Sequence, residues 1–231
     1  MKKYTEGLNR INFEIVVVGT SLGGLNALTV LLTDLPKSFP LPIVIVQHRH
    51  KESNNMLSDY LQQQSYLPVT EAEDKEEIVP GRVYLAPADY HLLIELPCYS
   101  DFSVYESYFT GEGNAPILAK AEIQNRGAPT FALSTEAPVS YARPSIDVLF
   151  ESAADAFGEK VIGIVLTGAS SDGAQGLAKI KAEGGLTFVQ EPDSAQCPIM
   201  PAAAIAAVEV DWILPLSKIA PCLVNLLTIK D

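Results

Sequence analysis

The stretch VVVGTSLGG, residues 16–24, decides the reading of this chain. Val16–Val18 form a β-branched apolar run that reads as a buried strand, and the small residues after it read as a tight turn. Apolar spacing over 22–34 then predicts a helix. Within the turn, Gly19-Thr20-Ser21-Leu22-Gly23 fits G-x-S-x-G in the strand–turn–helix context that a nucleophile elbow requires. Taken alone, the motif leaves three readings open. Ser21 is a nucleophile, part of a loop that cradles phosphate or another ligand, or the filler of an ordinary turn.

The same rhythm extends outward. Apolar runs at 14–18, 43–47, 83–86, 91–96, 161–166, 186–189 and 210–214 alternate with helical spacing at 22–34, 53–64, 144–157, 173–183, 200–207 and 216–228. Several runs are apolar on both faces, as strands covered by helices on each side are. The pattern predicts an α/β fold: a doubly wound, mostly parallel sheet with helices on both faces, a three-layer Rossmann-like sandwich. Residues 97–130 break the rhythm with aromatic-rich polar alternation, glycines and prolines. They predict a β-rich excursion, an insertion on the same domain.

Composition narrows the function classes. Hydrophobic residues make up 48% and charged residues 19%, a globular balance, and the net charge is −12 with no block of Lys or Arg. That argues against nucleic acid as a partner, because phosphate-backbone affinity comes mainly from basic side chains. Cys98, Cys197 and Cys222 are widely spaced and form no Cys/His pattern, which predicts a reducing compartment and no metal site. No apolar run approaches the ~20 residues a membrane helix needs. The start has no signal-peptide core, so a cytoplasmic protein without membrane insertion is expected.

The open readings of Ser21 can be tested against the rest of the chain. A dinucleotide fold wants G-x-G-x-x-G and an acid ending the next strand. Here Ser21 stands at the middle glycine and the second strand ends in Gln47-His48, so the acid is missing. A nucleophilic serine needs a base. The three histidines are His48, His50 and His91. His48 ends the second strand on the edge where Ser21 ends the first, so neighbouring strands would bring the two together. His50 reads as an exposed loop residue and His91 as structural or a pocket wall. In VIGIVLTGASSDGAQG, residues 161–176, another buried strand enters a small-residue turn with Asp172 in it. That turn reaches the same sheet edge, although an Asp before a helix is also a common N-cap. The chain order Ser21, His48, Asp172 excludes the usual α/β hydrolases, whose histidine comes last.

Several separated blocks together resemble the catalytic domain of the chemotaxis protein-glutamate methylesterases, the CheB type. They are VVVGTSLGGLNAL, PIVIVQH, VPGRVYLAPADYHLLIE, ARPSIDVLFESAADAFG, VIGIVLTGASSDGAQGLAKIKAEGG and VQEPDSAQCPIMPAAAI. The resemblance implies a Ser–His–Asp triad of Ser21, His48 and Asp172 and no organic cofactor or metal. It implies hydrolysis of glutamate γ-methyl esters on a methylated chemoreceptor cytoplasmic segment, releasing methanol, in some members with glutamine deamidation. Thr20, Leu22, Gly23 and Ala169 are then expected around substrate and oxyanion. Arg143 is expected either to position a carboxylate-rich receptor segment or to be a surface arginine before a helix.

Two departures bear on substrate preference. Leu22 replaces the family's Thr, and TGASSDG, residues 167–173, replaces T-G-M-G-x-D-G. The family's best-known architecture places a phosphorelay receiver domain first. Here the first strand begins near residue 14, so a single catalytic domain over 1–231 is expected, controlled by a separate protein, parted from a receiver at a sequence boundary, or constitutive; a separate receiver protein or a methyltransferase is expected as a further partner. A non-catalytic signalling module and a small-molecule serine esterase are the alternatives on the same fold.

Overall fold

A computed structural model describes residues 12–49, 56–96 and 127–228. In chain order the first half comprises β1 (Ile15–Thr20), α1 (Gly24–Thr33), β2 (Ile43–Gln47), α2 (Met56–Gln64), β3 (Val69–Glu71), β4 (Val83–Leu85), β5 (His91–Glu95) and β6 (Thr130–Ser134). The second half comprises α3 (Ile146–Phe157), β7 (Val161–Val165), α4 (Ala174–Ala182), β8 (Leu186–Gln190), α5 (Ile199–Ala207), β9 (Trp212–Leu214) and α6 (Leu216–Thr228).

Every residue of β1 is buried, and alternation along the strand feeds two cores. Val16 and Val18 pack with Leu28 and Leu31 of α1, Leu61 of α2 and Ile219 and Leu223 of α6. Ile15 and Val17 pack on the opposite face with Ile146 and Phe150 of α3, Leu177 of α4 and Met200 of α5. Both faces of the sheet are therefore covered, which is why these strands lack polar alternation.

Seven strands form one parallel sheet in the order β3-β4-β2-β1-β7-β8-β9. The chain moves from β1 through β2 to one edge and returns to β7 on the other side of β1. The order therefore reverses between β1 and β7, and open sheets of this kind bind ligands at such a switch point, beyond the strand C-termini. Among the described residues no helix is long and apolar enough to cross a membrane.

Two strands were not expected. β3 has three residues, too few for a hydropathy pattern, and β6 lies at the end of the irregular region. The apolar run at 91–96 forms β5, which stands outside the main sheet and pairs antiparallel with β6, His91 opposite Ser134 and Glu95 opposite Thr130. The expected excursion at 97–130 thus ends inside β6, and its residues 97–126 lie outside the described ones.

The first turn of α3 crosses close over β1. A Cβ at Gly19 would lie 2.3 Å from Cγ2 of Ile146, so only glycine allows that approach. Gly19→Ala is expected to lower stability by roughly 1–3 kcal/mol through overpacking, read as a lower urea midpoint.

Candidate active site

Ser21 follows β1 directly and its backbone is tied to the turn after β7. Its N–H donates to Thr167 O at 3.0 Å, the Thr20 hydroxyl donates to the same carbonyl at 2.8 Å, and the Thr167 hydroxyl donates to Leu22 O at 2.9 Å. Gly23 takes φ 84°, a left-handed conformation that lets the chain turn sharply into α1. Among the described residues the N–H groups of Leu22 and Gly23 donate no hydrogen bond. They stand at the N-terminal end of α1, where the helix dipole favours negative charge.

His48 follows β2, the strand beside β1. Its N–H donates to Thr20 O at 3.0 Å, and the Gln47 Nε2 amide donates to both Ser21 O and His48 O at 2.9 Å. One side chain thus staples the serine turn to the histidine turn. Ser21, Leu22, Gly23, Gln47, His48 and Gln196 line a common cleft of about 540 Å³. The Ser21 hydroxyl makes no hydrogen bond among the described residues, and it shares this cleft with the imidazole.

The imidazole is held from behind. His48 Nε2 and Asp172 Oδ2 are 2.7 Å apart, with the Asp172 side chain fully buried and that of His48 16% exposed. Asp172 also accepts from Ile146 N–H at 2.7 Å on Oδ2, and from the Ser145 hydroxyl at 2.8 Å and Asp147 N–H at 3.0 Å on Oδ1. Burial alone would raise its pKa. The hydrogen bonds from His48, Asp147, Ile146 and Ser145 outweigh it and hold Asp172 below the usual carboxylate range. With a carboxylate at Nε2, the neutral imidazole carries its proton there and leaves the Nδ1 lone pair free.

The remaining candidates separate. Leu22 and Gly23 line the cleft with Ser21, whereas Thr20, Ala169 and Arg143 are not among its lining residues. Thr20 is buried and its hydroxyl is spent on Thr167, while Ala169 is exposed. Arg143 is engaged elsewhere: Nε and Nη2 donate to Asp89 Oδ1 at 3.1 and 2.6 Å, and Nη1 donates to Thr135 O and Glu136 O at 2.8 and 3.0 Å. It clamps the loop after β6 to the loop before β5. Arg143→Met is expected to cost roughly 1–3 kcal/mol in urea unfolding, since these are hydrogen bonds from a charged group.

His91 is buried. Its Nε2 is 3.1 Å from Ala137 O and its Nδ1 accepts Ser145 N–H at 3.2 Å, so it orients the residue that reaches Asp172. His50 lies outside the described residues. Among the described residues no group of three or more His, Cys, Asp or Glu could hold a metal ion.

Sequence reasoning missed Gln47, Ser145 and Asp147 as parts of this arrangement. The Ser145–Ile146–Asp147 run did announce a helix start, but its hydrogen bonds go to a different helix, which no local pattern records.

The CheB methylesterase family model matches residues 16–223. The chain belongs to the CheB methylesterase family. A Leptospira interrogans protein, provisionally named protein-glutamate methylesterase/protein-glutamine glutaminase, is 42% identical over 216 residues, covering 94% of this chain and 96% of that one. A Thermotoga maritima protein-glutamate methylesterase/protein-glutamine glutaminase is 33% identical, and the match covers 94% of this chain but 55% of the relative. The crystal structure of the Thermotoga maritima CheB methylesterase catalytic domain superimposes with a TM-score of 0.77 at 32% identity, covering 94% of this chain and 100% of that domain. The α/β three-layer architecture is thus that of a CheB catalytic domain.

Proposed function

We propose that this chain is a serine hydrolase that removes methyl groups from glutamate γ-methyl esters on a chemoreceptor cytoplasmic segment. The observation that carries the reading is the 2.7 Å contact between His48 Nε2 and a buried, fully hydrogen-bonded Asp172, behind an imidazole that shares a cleft with Ser21. Membership of the CheB methylesterase family supports the substrate class.

The mechanism follows from the groups present. His48 Nδ1 takes the Ser21 proton as Oγ attacks the ester carbonyl, and Asp172 stabilises the imidazolium. The N–H groups of Leu22 and Gly23 stabilise the oxyanion at the start of α1. Collapse breaks the carbonyl–methoxy bond, and Nδ1–H protonates the leaving oxygen to give methanol and an acyl-enzyme. Water, deprotonated by the same nitrogen, then attacks the acyl carbon, and the Ser21 oxygen leaves and is reprotonated. A glutamine side chain would enter the same route with ammonia as leaving group, in line with the double names of the relatives.

The substrate segment is cytoplasmic, and so is the proposed workplace of the enzyme. A separate receiver protein or the opposing methyltransferase is the proposed regulatory partner. Release of volatile radioactivity from receptors carrying labelled methyl groups tests the reading directly. Folded protein that releases no methanol from methylated receptor would overturn it.

A further inference from the structure

Helices α3 and α4 begin side by side, and neither N-cap residue bonds its own helix: Ser145 and Gly173 make no side-chain cap. The caps are exchanged. Asp172, just before α4, accepts the Ile146 and Asp147 N–H groups of α3. Asp147, in the first turn of α3, accepts Gly173 N–H at 2.9 Å and Gly176 N–H at 2.8 Å at the start of α4. Both of these bonds fall on one oxygen, Oδ1. An asparagine would supply that oxygen equally well, so capping alone does not require a carboxyl here. Asp147 is 7% exposed, and among the described residues no Lys or Arg pairs with it. A second buried acid behind Asp172 is unfavourable by both desolvation and repulsion. What it adds over an amide is charge, one residue removed from the imidazole.

We propose that Asp147 is a positioning residue for the ester-hydrolysis site, fixing Asp172 against His48 through the exchanged caps and strengthening the imidazolium with its own negative charge. This rests on the methylesterase reading of the cleft. Burial pushes Asp147 up to about 6; its Gly176 and Gly173 bonds pull it down, while the Asp172 charge and a side-chain bond to Asp172 push it up. Asp147 therefore takes up a proton well above the ordinary carboxylate range, and through Asp172 that protonation is linked to the acid limb of activity.

The charged or titratable groups around Asp147 are few. Asp172 precedes α4 and leads to His48, and His91 of β5 lies behind Ser145. Farther along the α3–α4 seam Lys179 pairs with Asp155. β1, β2 and β7, which also pack on α3, contribute apolar residues to that core.

The test compares kcat and kcat/KM of wild type and Asp147→Asn from pH 5 to 8.5. Losing the negative charge makes His48 less basic, so the acid limb is expected to move down by about half to one pH unit, with kcat at pH 8 falling about three- to tenfold at unchanged KM. Asp147→Glu, which keeps the charge, is expected to restore the wild-type position of the limb. An Asp147→Asn profile that overlies the wild type would overturn the proposal and leave Asp147 a cap. NMR titration of the His48 ring in the unaltered protein decides the matter even if the variants do not fold. A curve with a second inflection from Asp147 is expected, and a single inflection would overturn the proposal. Because this reading needs no turnover, a protein inactive on methyl esters would refute the methylesterase reading while the NMR curve still decides the coupling.

Discussion

Ser21→Ala is expected to abolish methanol release, with a loss of about 10³- to 10⁶-fold in kcat, while leaving the fold in place. The separation of the two effects follows from where the hydrogen bonds of the elbow fall. Ser21 N–H donates to Thr167 O, and Ser21 O accepts from Gly24 N–H and from Gln47 Nε2. All of these belong to the backbone of residue 21 and survive truncation to alanine. The hydroxyl itself carries no structural bond among the described residues, so its removal should change unfolding free energy by no more than about 0.5 kcal/mol. Paired measurements of methanol release and urea midpoint check both halves. A variant that kept activity would show that another group forms the covalent bond.

Asp172→Asn is expected to damage activity and stability together, by about 10²- to 10⁴-fold in kcat and about 1–3 kcal/mol. Both oxygens of Asp172 accept, Oδ2 from His48 and Ile146, and Oδ1 from Ser145 and Asp147. An amide has one acceptor and one donor, so its NH₂ must face one of these pairs. Turned toward His48, it meets Nε2–H and Ile146 N–H, and the ring escapes only by moving its proton to Nδ1, which destroys the base. Turned the other way, it leaves Asp147 N–H without an acceptor. The Ser145 hydroxyl can rotate to accept, whereas a backbone N–H cannot. The pH dependence of stability carries the same signature. Because the folded pKa of Asp172 lies below its unfolded value, its contribution is fully present above the ordinary Asp range near 4 and is lost as pH falls through the depressed value. Thermal unfolding of the variant between about pH 2 and 5 should lack that component.

What the sequence made legible is what local patterns encode. The apolar runs announced the parallel sheet because residues such as Val16 and Val17 face opposite cores and must both be apolar. The G-x-S-x-G turn announced a sharp exit from β1 because Gly23 alone accepts the positive φ there. Ser21, His48 and Asp172 could be grouped since parallel strands deliver their C-terminal ends to one edge. What stayed hidden depends on long-range hydrogen bonds. Gln47 reads as the last residue of a strand, and nothing nearby says that its amide bridges two turns. Asp147 reads as a favourable acid in the first turn of its own helix, yet its bonds serve α4. Arg143 matches a family block, but its partners, Asp89 and two loop carbonyls, are fixed only when β5 and β6 pair. β3 and β6 escaped notice because three residues, or five at the end of an irregular stretch, carry too little periodicity.

The central claim is that Ser21 is a nucleophile activated by His48. Its most direct test is covalent: the protein is treated with a fluorophosphonate, digested, and the modified peptide identified by mass spectrometry. Stoichiometric modification of Ser21, lost in His48→Ala, is the predicted result. An unmodified Ser21 in protein that still releases methanol from methylated receptor would contradict the account.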